Sequence, residues 1–538
     1  MKNSENLKEC EPKRKFFLEK YREMIEHAKN LAGYLSKHDV IRIVTHIDAD
    51  GITSGAIAAK ALERAEKEWT IQFEKQLDPS VLKKLHSDFK KQLKEEGDVL
   101  FWFADFGSGQ INELKGINYI ITDHHHPSDF EEGRKIYKSN KEIPEKIKRD
   151  IVEYASALST LQRFQRELNP HFFGVSGSDH LSGAGTTYLV AKALDQRNQD
   201  LSPLAVVGAV GDLQDSRHCR LVGLNQFILE EAKKHGLKVS YDIRSFGRET
   251  RPIFKLLQYT NDPIIPSLSG DKGNCMAFMV FCKEPLAEGL KIEKTSVEEL
   301  EKETGNRRHW RCWVDLSHES KRTLLSNLVK LLLWNGIEHE SALRLLGEVY
   351  ILEKEAPYSP LRDAKEYATL LNACGRYGNA EIGFRVCLGD RSRYFEKALL
   401  LLKGHRRVLV DNMKYVTDVG ITEREYIQYF HGEDVIPENV VGIVAGMLLG
   451  SGDVNENLPI IGFANSTNGV KVSARTVRKL VRKGINLAKI MKQASKVVGG
   501  GGGGHNIAAG AHIPKNKEKE FLKLVEEMVK KQLREKHE

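Results

Sequence analysis

Three short apolar runs in the N-terminal part of the chain are each followed within two residues by an aspartate or a histidine. The runs are residues 40–44, 99–104 and 119–122. Their length, their β-branched and aromatic side chains and the helical pattern between the first two are typical of buried strands in a parallel α/β sheet. Ligands bind at the carboxyl ends of parallel strands, which meet at one edge of the sheet. We therefore expect the acidic and histidine side chains after the runs to converge on one crevice.

Length and composition restrict the class of protein. A chain of 538 residues is long for a single hydrophobic core, so two or three domains are expected. The net charge of +8 is small for this length, so a nucleic-acid surface requires local clusters of basic residues. The seven cysteines lack the paired spacing of a zinc or redox motif. Without a secretory signal or an apolar run of about 18 residues, the sequence predicts a cytoplasmic protein that does not cross a membrane.

The side chains that follow the apolar runs suit a metal centre. Asp48 and Asp50, two residues apart after the first run, can direct both carboxylates into one pocket, and such oxygens suit Mg²⁺ or Mn²⁺. Phosphodiester hydrolysis commonly uses two cations about 3.5–4 Å apart. Asp105, alone after the second run, is our candidate for the bridging carboxylate. His46 and His124 would add nitrogen ligands, which favour Mn²⁺ over Mg²⁺.

A further carboxylate follows an apolar stretch later in the chain. Asp212 comes directly after residues 206–211, and we predict it as the final ligand, although Asp215 is close enough to be confused with it. Each element alone has a simpler explanation, because Asp-Ala-Asp-Gly is a common turn and a single histidine is usually a packed or solvated group. Acids and histidines after three successive predicted strands make a metal site the better explanation.

Six short motifs, taken in order, resemble the signature of the DHH phosphoesterase superfamily. They are HIDADG at 46–51, DFGSG at 105–109, TDHHHP at 122–127, NP at 169–170, SGAG at 182–185 and VGDLQD at 210–215. The resemblance extends from about residue 40 to 215 and resumes at 371–376 and through the C-terminal third. It is strongest with RecJ-like single-strand exonucleases of the archaeal, GINS-associated type. The ordered combination is far more specific than any one motif.

The resemblance implies a site for two divalent cations, with Mn²⁺ preferred and Mg²⁺ as the alternative. The implied ligands are His46, Asp48 and Asp105 for one cation, and Asp50, Asp105, His124 and Asp212 for the other. Asp123 would orient a ligand, and His125 would contact the scissile phosphate or assist proton transfer. For the SGAG turn, a packing role and a direct role remain equally open.

The resemblance also places substrate-binding residues in the C-terminal third and at residues 371–376. The glycine run at 499–504 could alone be a flexible linker, but with residues 505–510 it resembles the signature of the DHH-associated domain. Glycine N–H groups there could form a nest for a phosphate. The implied substrate-binding residues are Asn372, Arg376, Ser473, Arg475, Gly503, Gly504 and His505.

Two other features bear on this surface. The basic residues between 475 and 483 would form one stripe if the segment were helical, with Leu480 facing the core. Related nucleases often carry Ser-Arg where this chain has Gly446 and Met447, so one phosphate contact of the family is missing.

The predicted fold is α/β: a parallel-sheet DHH domain, a C-terminal α/β DHH-associated domain, and a largely helical connecting or inserted region. The predicted regions are a helical extension at 1–37, the catalytic domain at 38–220, the connecting domain at 221–360 and the substrate-binding domain at 361–538. An exposed helical insertion is predicted at 129–167 within the catalytic domain. The connecting domain is a candidate docking surface for a GINS-like replisome partner.

The expected function is a single-strand exonuclease in DNA replication and repair. By resemblance its substrate is single-stranded DNA, degraded 5′ to 3′, with RNA as a second substrate. One alternative is a phosphodiesterase for short oligonucleotides or cyclic dinucleotides, against which the long middle segment argues. Another is a replisome scaffold with little nuclease activity, but such proteins typically lose metal ligands, and all six positions are filled here.

Overall fold

The computed structural model describes residues 2–128, 164–284, 310–451, 454–466 and 469–534. The chain divides into two compact units. Unit 1 comprises Met1–Thr250 and Leu346–Leu402, and unit 2 comprises Arg251–Leu345 and Lys403–Glu538. Among the described helices, none is long and apolar enough to cross a membrane.

The strands, in chain order, are β1 Val40–His46, β2 Glu68–Glu74, β3 Val99–Ala104, β4 Tyr119–Thr122, β5 Glu167–Leu168, β6 Leu237–Ile243, β7 Leu346–Leu352, β8 Thr422–Glu423, β9 Gln428–His431, β10 Ile460–Ser466, β11 Gly469–Arg475, β12 Gly501–Gly504 and β13 Ala508–Ile513.

The α-helices are α1 Lys2–Leu35, α2 Ala49–Arg64, α3 Pro79–Glu96, α4 Gly183–Leu194, α5 Ser202–Gly211, α6 Asn225–Lys234, α7 Ile253–Gln258, α8 Lys272–Phe281, α9 His318–Trp334, α10 His339–Leu343, α11 Ala364–Arg376, α12 Ala380–Cys387, α13 Arg393–Val419, α14 Val441–Ser451, α15 Arg478–Arg482, α16 Leu487–Val497 and α17 Glu518–Arg534. Short 3₁₀ helices lie at Pro170–Phe173, Gln196–Leu201 and Trp313–Asp315.

Unit 1 is built on a five-stranded sheet with the order β2-β1-β3-β4-β5, in which all neighbouring strands are parallel. The three strands predicted from the apolar runs are confirmed as β1, β3 and β4. Strand β2 was not predicted from the sequence, because it lies at the sheet edge and its side chains are mostly polar and half-buried. The predicted α/β class with a parallel sheet is confirmed.

Helix α2 carries the first acidic motif into the centre of unit 1. It packs against the sheet and against α4 and α5, and it is buried over most of its circumference. This burial suits its sequence, ADGITSGAIAAKALER, because small side chains let neighbouring helices approach closely. The N-terminus of α2 is therefore held firmly at the carboxyl edge of the sheet.

Helix α1 contributes to the same core. Tyr21, Met24, Ala28, Leu31 and Leu35 are buried, and their spacing of three and four residues places them on one helical face. The helical extension predicted at 1–37 thus contains this helix, which packs its apolar face into unit 1. The insertion predicted at 129–167 lies outside the described residues as far as residue 163.

Unit 2 contains a six-stranded sheet with the order β12-β13-β11-β10-β9-β8, mainly antiparallel, with β9 and β10 parallel. Helices α16 and α17 pack on it around a core that includes Phe463, Met491 and Phe521. The described part of 251–345 is largely helical, as predicted for the inserted region.

Two expectations about the C-terminal third need correction. The glycine run forms the extended edge strand β12, paired with β13, rather than a compact nest. The basic residues do not form one helical stripe, because Arg475 ends β11 and α15 has only five residues. Leu480 is buried, as predicted.

Candidate metal centre

The first group of candidate ligands lies where β1 ends and α2 begins. Asp48 is the N-cap of α2, and its Oδ1 accepts a hydrogen bond of 2.9 Å from the N–H of Gly51. Its other oxygen lies 2.9 Å from Nδ1 of His46, the last residue of β1. The same nitrogen lies 3.7 Å from Oδ2 of Asp105. The strand end and the helix cap thus bring an imidazole and two carboxylates together.

Asp105 lies at the centre of the candidate site. It follows β3 with a positive φ of 66°, and its N–H donates to the carbonyl of Thr122, the last residue of β4. The side chain is 1% exposed, yet neither carboxylate oxygen has a hydrogen-bond partner among the described residues. A buried carboxylate without such partners is strongly unfavourable unless a cation compensates its charge. The environment of Asp105 therefore fits a metal ligand.

Asp50 is held by the N-terminus of α4. Its Oδ2 accepts from the N–H of Gly183 at 2.7 Å, and its Oδ1 accepts from the N–H of Ala184 at 3.0 Å. Ser182 is the N-cap of the same helix, so the SGAG turn supplies both a cap and donors for the carboxylate. Burial, and then the charge of Asp105, raises the pKa of Asp50 well above its ordinary value. A bound cation would favour its charged form.

His124 faces the two buried carboxylates. Its Nε2 lies 3.2 Å from Oδ1 of Asp105 and 3.6 Å from Oδ2 of Asp50. Its Nδ1 lies 2.7 Å from the carbonyl oxygen of Gly177, which can only accept, so Nδ1 carries the proton. This tautomer leaves the lone pair of Nε2 directed toward the carboxylates, as a metal ligand requires.

Asp212 completes the set of predicted ligands. It is the C-cap of α5, so the apolar stretch before it is a helix. Burial, and then the charge of Asp105, raises its pKa, while His124 opposes this shift. Asp215 is not part of the site: it pairs with Arg244 at 3.3 Å, and both side chains are buried.

The predicted ligands fall into compact groups. In each group one ligand atom per residue lies within 4.8 Å of the others. The groups are His46, Asp48 and Asp105; Asp50, His124 and Asp212; and Asp105, His124 and His125. The structure thus brings all six predicted ligands together, with Asp105 in two of the groups.

Asp123 is not a member of the ligand groups, and its carboxylate accepts hydrogen bonds from backbone donors. Its Oδ1 accepts from the N–H groups of His124 and His125 at 2.7 and 3.0 Å, and its Oδ2 accepts from the N–H of Ser108 at 3.0 Å. Oδ1 also lies 2.8 Å from Nδ1 of His125, whose side chain is 53% exposed. Burial would raise the pKa of Asp123, but the charge of His125 and these hydrogen bonds lower it. Asp123 therefore fixes the exposed ring of His125.

Helix α11 packs against the turn that carries the first motif. Oδ1 of Asn372 accepts from the N–H of Ala49 at 3.0 Å. A methyl group at Gly375 would overlap the carbonyl oxygen of Ile47, so the helix backbone approaches the turn directly. Burial lowers the pKa of Arg376, and the negative charge of Asp48 opposes this shift. Asn372 and Arg376, predicted to bind substrate, thus lie beside the ligands.

The other predicted substrate-binding residues lie together on the sheet of unit 2. Ser473 and Arg475 are on β11, Gly503 and Gly504 are on β12, and β13 pairs with both strands. Gly510 of β13 is opposite both Ser473 and Gly503. The N–H of His505 donates to the carbonyl of Ala508 and closes the turn between β12 and β13.

Several residues that shape the site were not identified from the sequence. Asn169 donates from Nδ2 to the carbonyl of His125 and to Oγ of Ser108, both at 2.9 Å. Gln214 bonds to Asp212 and to Gly177. The NP and VGDLQD motifs contain Asn169 and Gln214, but the motifs alone do not show which backbone groups these amides contact.

Comparison with known proteins agrees with this arrangement. Residues 40–167 match the DHH family, N-terminal domain, residues 245–346 match the DHH-CID domain, and residues 425–531 match the DHHA1 domain. The chain is 31% identical over 521 residues to an uncharacterized protein of Methanocaldococcus jannaschii, covering 96% of this chain and 100% of that protein. The chain belongs to the DHH phosphoesterase superfamily. This DHH protein thus has the family's N-terminal domain, inserted domain and DHHA1 domain in one sequence.

Solved structures show the same fold for this DHH protein. RecJ of Thermus thermophilus, in complex with Mn²⁺, aligns with a TM-score of 0.52 at 16% identity. The alignment covers 94% of this chain but only 55% of that RecJ, so this chain spans about half its length. CDC45 of Entamoeba histolytica aligns with a TM-score of 0.55 at 13% identity, covering 96% of this chain and 98% of that one. At such identities the likeness establishes the RecJ-like fold alone.

Proposed function

We propose that this chain is a metal-dependent, single-strand-specific exonuclease that acts in DNA replication and repair. The observation that carries the proposal is Asp105, whose buried carboxylate lacks hydrogen-bond partners among the described residues and belongs to two of the ligand groups. When bound, two divalent cations would supply activated water and neutralise charge on the leaving oxygen.

The chain's own residues divide between the two cations. His46, Asp48 and Asp105 would hold one, and Asp50, Asp105, His124 and Asp212 would hold the other. Mn²⁺ is the preferred ion because imidazole is a ligand in both sets, and Mg²⁺ is the alternative. The Mn²⁺ bound by the Thermus RecJ of the same fold supports a site for divalent cations.

His125 is the proposed catalytic residue outside the ligand sets. Its Nδ1 is held by Asp123, and its ring is half-exposed. This arrangement leaves Nε2 to contact the scissile phosphate or to move a proton during cleavage. The role of Asp123 is to hold that ring in one orientation, as hydrogen-bonded carboxylates do for other functional histidines.

The proposed substrate is single-stranded DNA, degraded 5′ to 3′, with RNA as a second substrate. The match to the DHHA1 domain and the RecJ-like fold support this choice. Asn372, Arg376, Ser473, Arg475, Gly503, Gly504 and His505 are the proposed contacts to the strand. Arginines are suited to this role because the guanidinium can bond a phosphate through two N–H groups.

Hydrolysis of end-labelled strands tests the proposed function. Single-stranded DNA labelled at the 5′ or the 3′ end, the matching duplex and a dinucleotide are each incubated with Mn²⁺ or Mg²⁺. We expect the 5′ label to be released first as a short product from single strands, with little cleavage of duplex. Rapid cleavage of the dinucleotide alone would favour an oligonucleotide phosphodiesterase, and no cleavage of any substrate would favour a scaffold.

Adding Mn²⁺ to metal-free protein is expected to raise its melting temperature. The buried carboxylates of Asp50 and Asp105 repel each other, and a cation that binds only the folded state removes this repulsion. At a concentration 100 times Kd the gain is about 2.7 kcal/mol per site. Differential scanning calorimetry in EDTA and in Mn²⁺ measures the shift. The Asp105→Asn variant, which lacks the bridge, should show a much smaller shift, and identical melting of the wild type in both buffers would exclude the metal site.

Arg475→Ala is expected to weaken binding of single-stranded DNA and to reduce the salt dependence of affinity by about one unit of slope. Arg475 is the last residue of β11, and its Nη1 donates to the carbonyl of Ala474. This hydrogen bond holds the guanidinium close to β11. Fluorescence anisotropy with a labelled oligonucleotide at several salt concentrations measures both quantities. Lys479→Ala removes one exposed positive charge nearby in sequence and serves as control. Equal affinities for the two variants would remove Arg475 from the binding surface.

We also propose that the inserted region, matched to the DHH-CID domain, docks a GINS-like replisome partner. The RecJ-like fold shared with CDC45 supports this role. Size-exclusion chromatography of the full chain mixed with a purified GINS complex tests it. Co-elution is expected, and two separate peaks at micromolar concentrations would contradict the proposal.

A further inference from the structure

A buried glutamine outside the predicted ligand set connects two of the candidate ligands. Gln214 is fully buried. Its Nε2 donates to Oδ2 of Asp212 at 3.0 Å and to the carbonyl oxygen of Gly177 at 2.8 Å. Both N–H bonds of the amide are therefore used, one on a ligand and one on the backbone.

The carbonyl of Gly177 also binds the other ligand of the pair. It accepts from Nδ1 of His124 at 2.7 Å, so its two lone pairs serve His124 and Gln214. A methyl group at Gly177 would overlap the carbonyl oxygen of His124, which shows how closely the two backbone segments approach. One carbonyl thus fixes both the tautomer of His124 and the position of Gln214.

Asn225 fixes the orientation of the Gln214 amide. Its Nδ2 donates to Oε1 of Gln214 at 2.6 Å. Asn225 begins α6, is 2% exposed, and donates its own N–H to the carbonyl of His180 at 2.9 Å. If the amide were rotated by half a turn, its oxygen would face the acceptor oxygens of Asp212 and Gly177. Its nitrogen would then face the donor Nδ2 of Asn225. The hydrogen bonds therefore allow only one orientation.

We propose that Gln214 is a positioning residue for one of the two cations, the one bound by Asp50, Asp105, His124 and Asp212. It holds Oδ2 of Asp212, which leaves Oδ1 for the cation, and it shares the carbonyl of Gly177 that holds Nδ1 of His124, so that Nε2 of His124 faces the carboxylates. The inference rests on the proposed two-cation function. His46 and Asp48, which are implied as ligands of the other cation alone, form no hydrogen bond with Gln214 in the described structure.

The prediction is selective loss of one metal site. Partners of this kind, which hold metal ligands without touching the metal, contribute about 10- to 100-fold to affinity. Gln214→Met, which keeps the length of the side chain but removes its amide, should therefore weaken one Mn²⁺ site about 10- to 100-fold and leave the other unchanged. If Gln214 had only a packing role, Gln214→Met would lower the melting temperature without changing metal affinity in the folded protein.

Isothermal titration of the full chain with Mn²⁺ tests the inference. Gln428 provides a matched control: it is also fully buried, and its Nε2 donates to the carbonyls of Asn455 and Leu458. We expect two sites in the wild type and in Gln428→Met, and one weakened site in Gln214→Met. If Gln214→Met does not fold, Asn225→Leu should show the same selective loss to a smaller extent.

The outcomes distinguish a failure of the role proposed for Gln214 from a failure of the proposed two-cation function. Two unchanged sites in both Gln214→Met and Asn225→Leu would overturn the role of Gln214 while leaving the proposed function intact. Equal weakening of both sites would also overturn it, because the network touches the ligands of one cation alone. A wild-type protein that binds no Mn²⁺ would contradict the proposed function itself.

Discussion

Asp105→Asn is expected to lower kcat on single-stranded DNA by about 10³-fold, the effect of losing about 4 kcal/mol of transition-state stabilisation. Asparagine has nearly the same shape and also tolerates the positive φ of this position. It lacks the charge that would hold two cations together, so the bridge is lost while the backbone is kept. Single-turnover hydrolysis of a 5′-labelled strand in saturating Mn²⁺ measures the change.

The same substitution should not destabilise the metal-free protein. The carboxylate of Asp105 is buried without a hydrogen-bond partner among the described residues, so removing its charge relieves an unfavourable term. In EDTA the variant should melt at the wild-type temperature or above it. Asp215→Asn is the matched control, because Asp215 is also buried but pairs with Arg244. It should show the opposite pattern, a lower melting temperature with retained kcat. Near-normal turnover of Asp105→Asn would exclude the bridging role.

Gly375→Ala is expected to damage both stability and catalysis. The added methyl group would overlap the carbonyl oxygen of Ile47, so α11 must move away from the turn that carries Asp48. Overpacking of this kind costs about 1–3 kcal/mol of unfolding free energy. The displacement would also break the bond from Ala49 to Asn372, and we expect kcat/KM to fall by about 10²-fold, as for small misplacements of catalytic groups.

A second helical glycine provides the control for this effect. Gly404 lies within α13, and a methyl group there would meet open space. Gly404→Ala should leave activity unchanged and raise stability by up to about 1 kcal/mol, because alanine favours the helix. Chemical denaturation and steady-state kinetics are measured on both variants. If Gly375→Ala behaved like Gly404→Ala, the close contact between α11 and the metal-site turn would be contradicted.

The ligand positions could be predicted because each follows an element with a clear local signal. The strands β1, β3 and β4 are short apolar runs, and the rule for parallel sheets brings their carboxyl ends together. His46, Asp105 and His124 therefore converge without further information. The edge strand β2 was not identified because an edge strand buries only part of its side chains and keeps polar residues.

The supporting contacts could not be predicted because they depend on backbone groups far away in sequence. Gln214 reaches the carbonyl of Gly177, and Asn372 reaches the N–H of Ala49, across 37 and 323 residues. No periodicity or spacing encodes such pairs. The extended form of the glycine run was not predicted for a related reason: it depends on pairing with β13, whereas composition alone favours a turn or linker.

The most direct test of the two-cation centre is anomalous diffraction from crystals of the full chain grown with Mn²⁺. We expect two Mn²⁺ peaks about 3.5–4 Å apart, with the carboxylate of Asp105 contacting both. His46 and Asp48 should bind one ion, and Asp50, His124 and Asp212 the other. A single peak, or two peaks without Asp105 between them, would contradict the account.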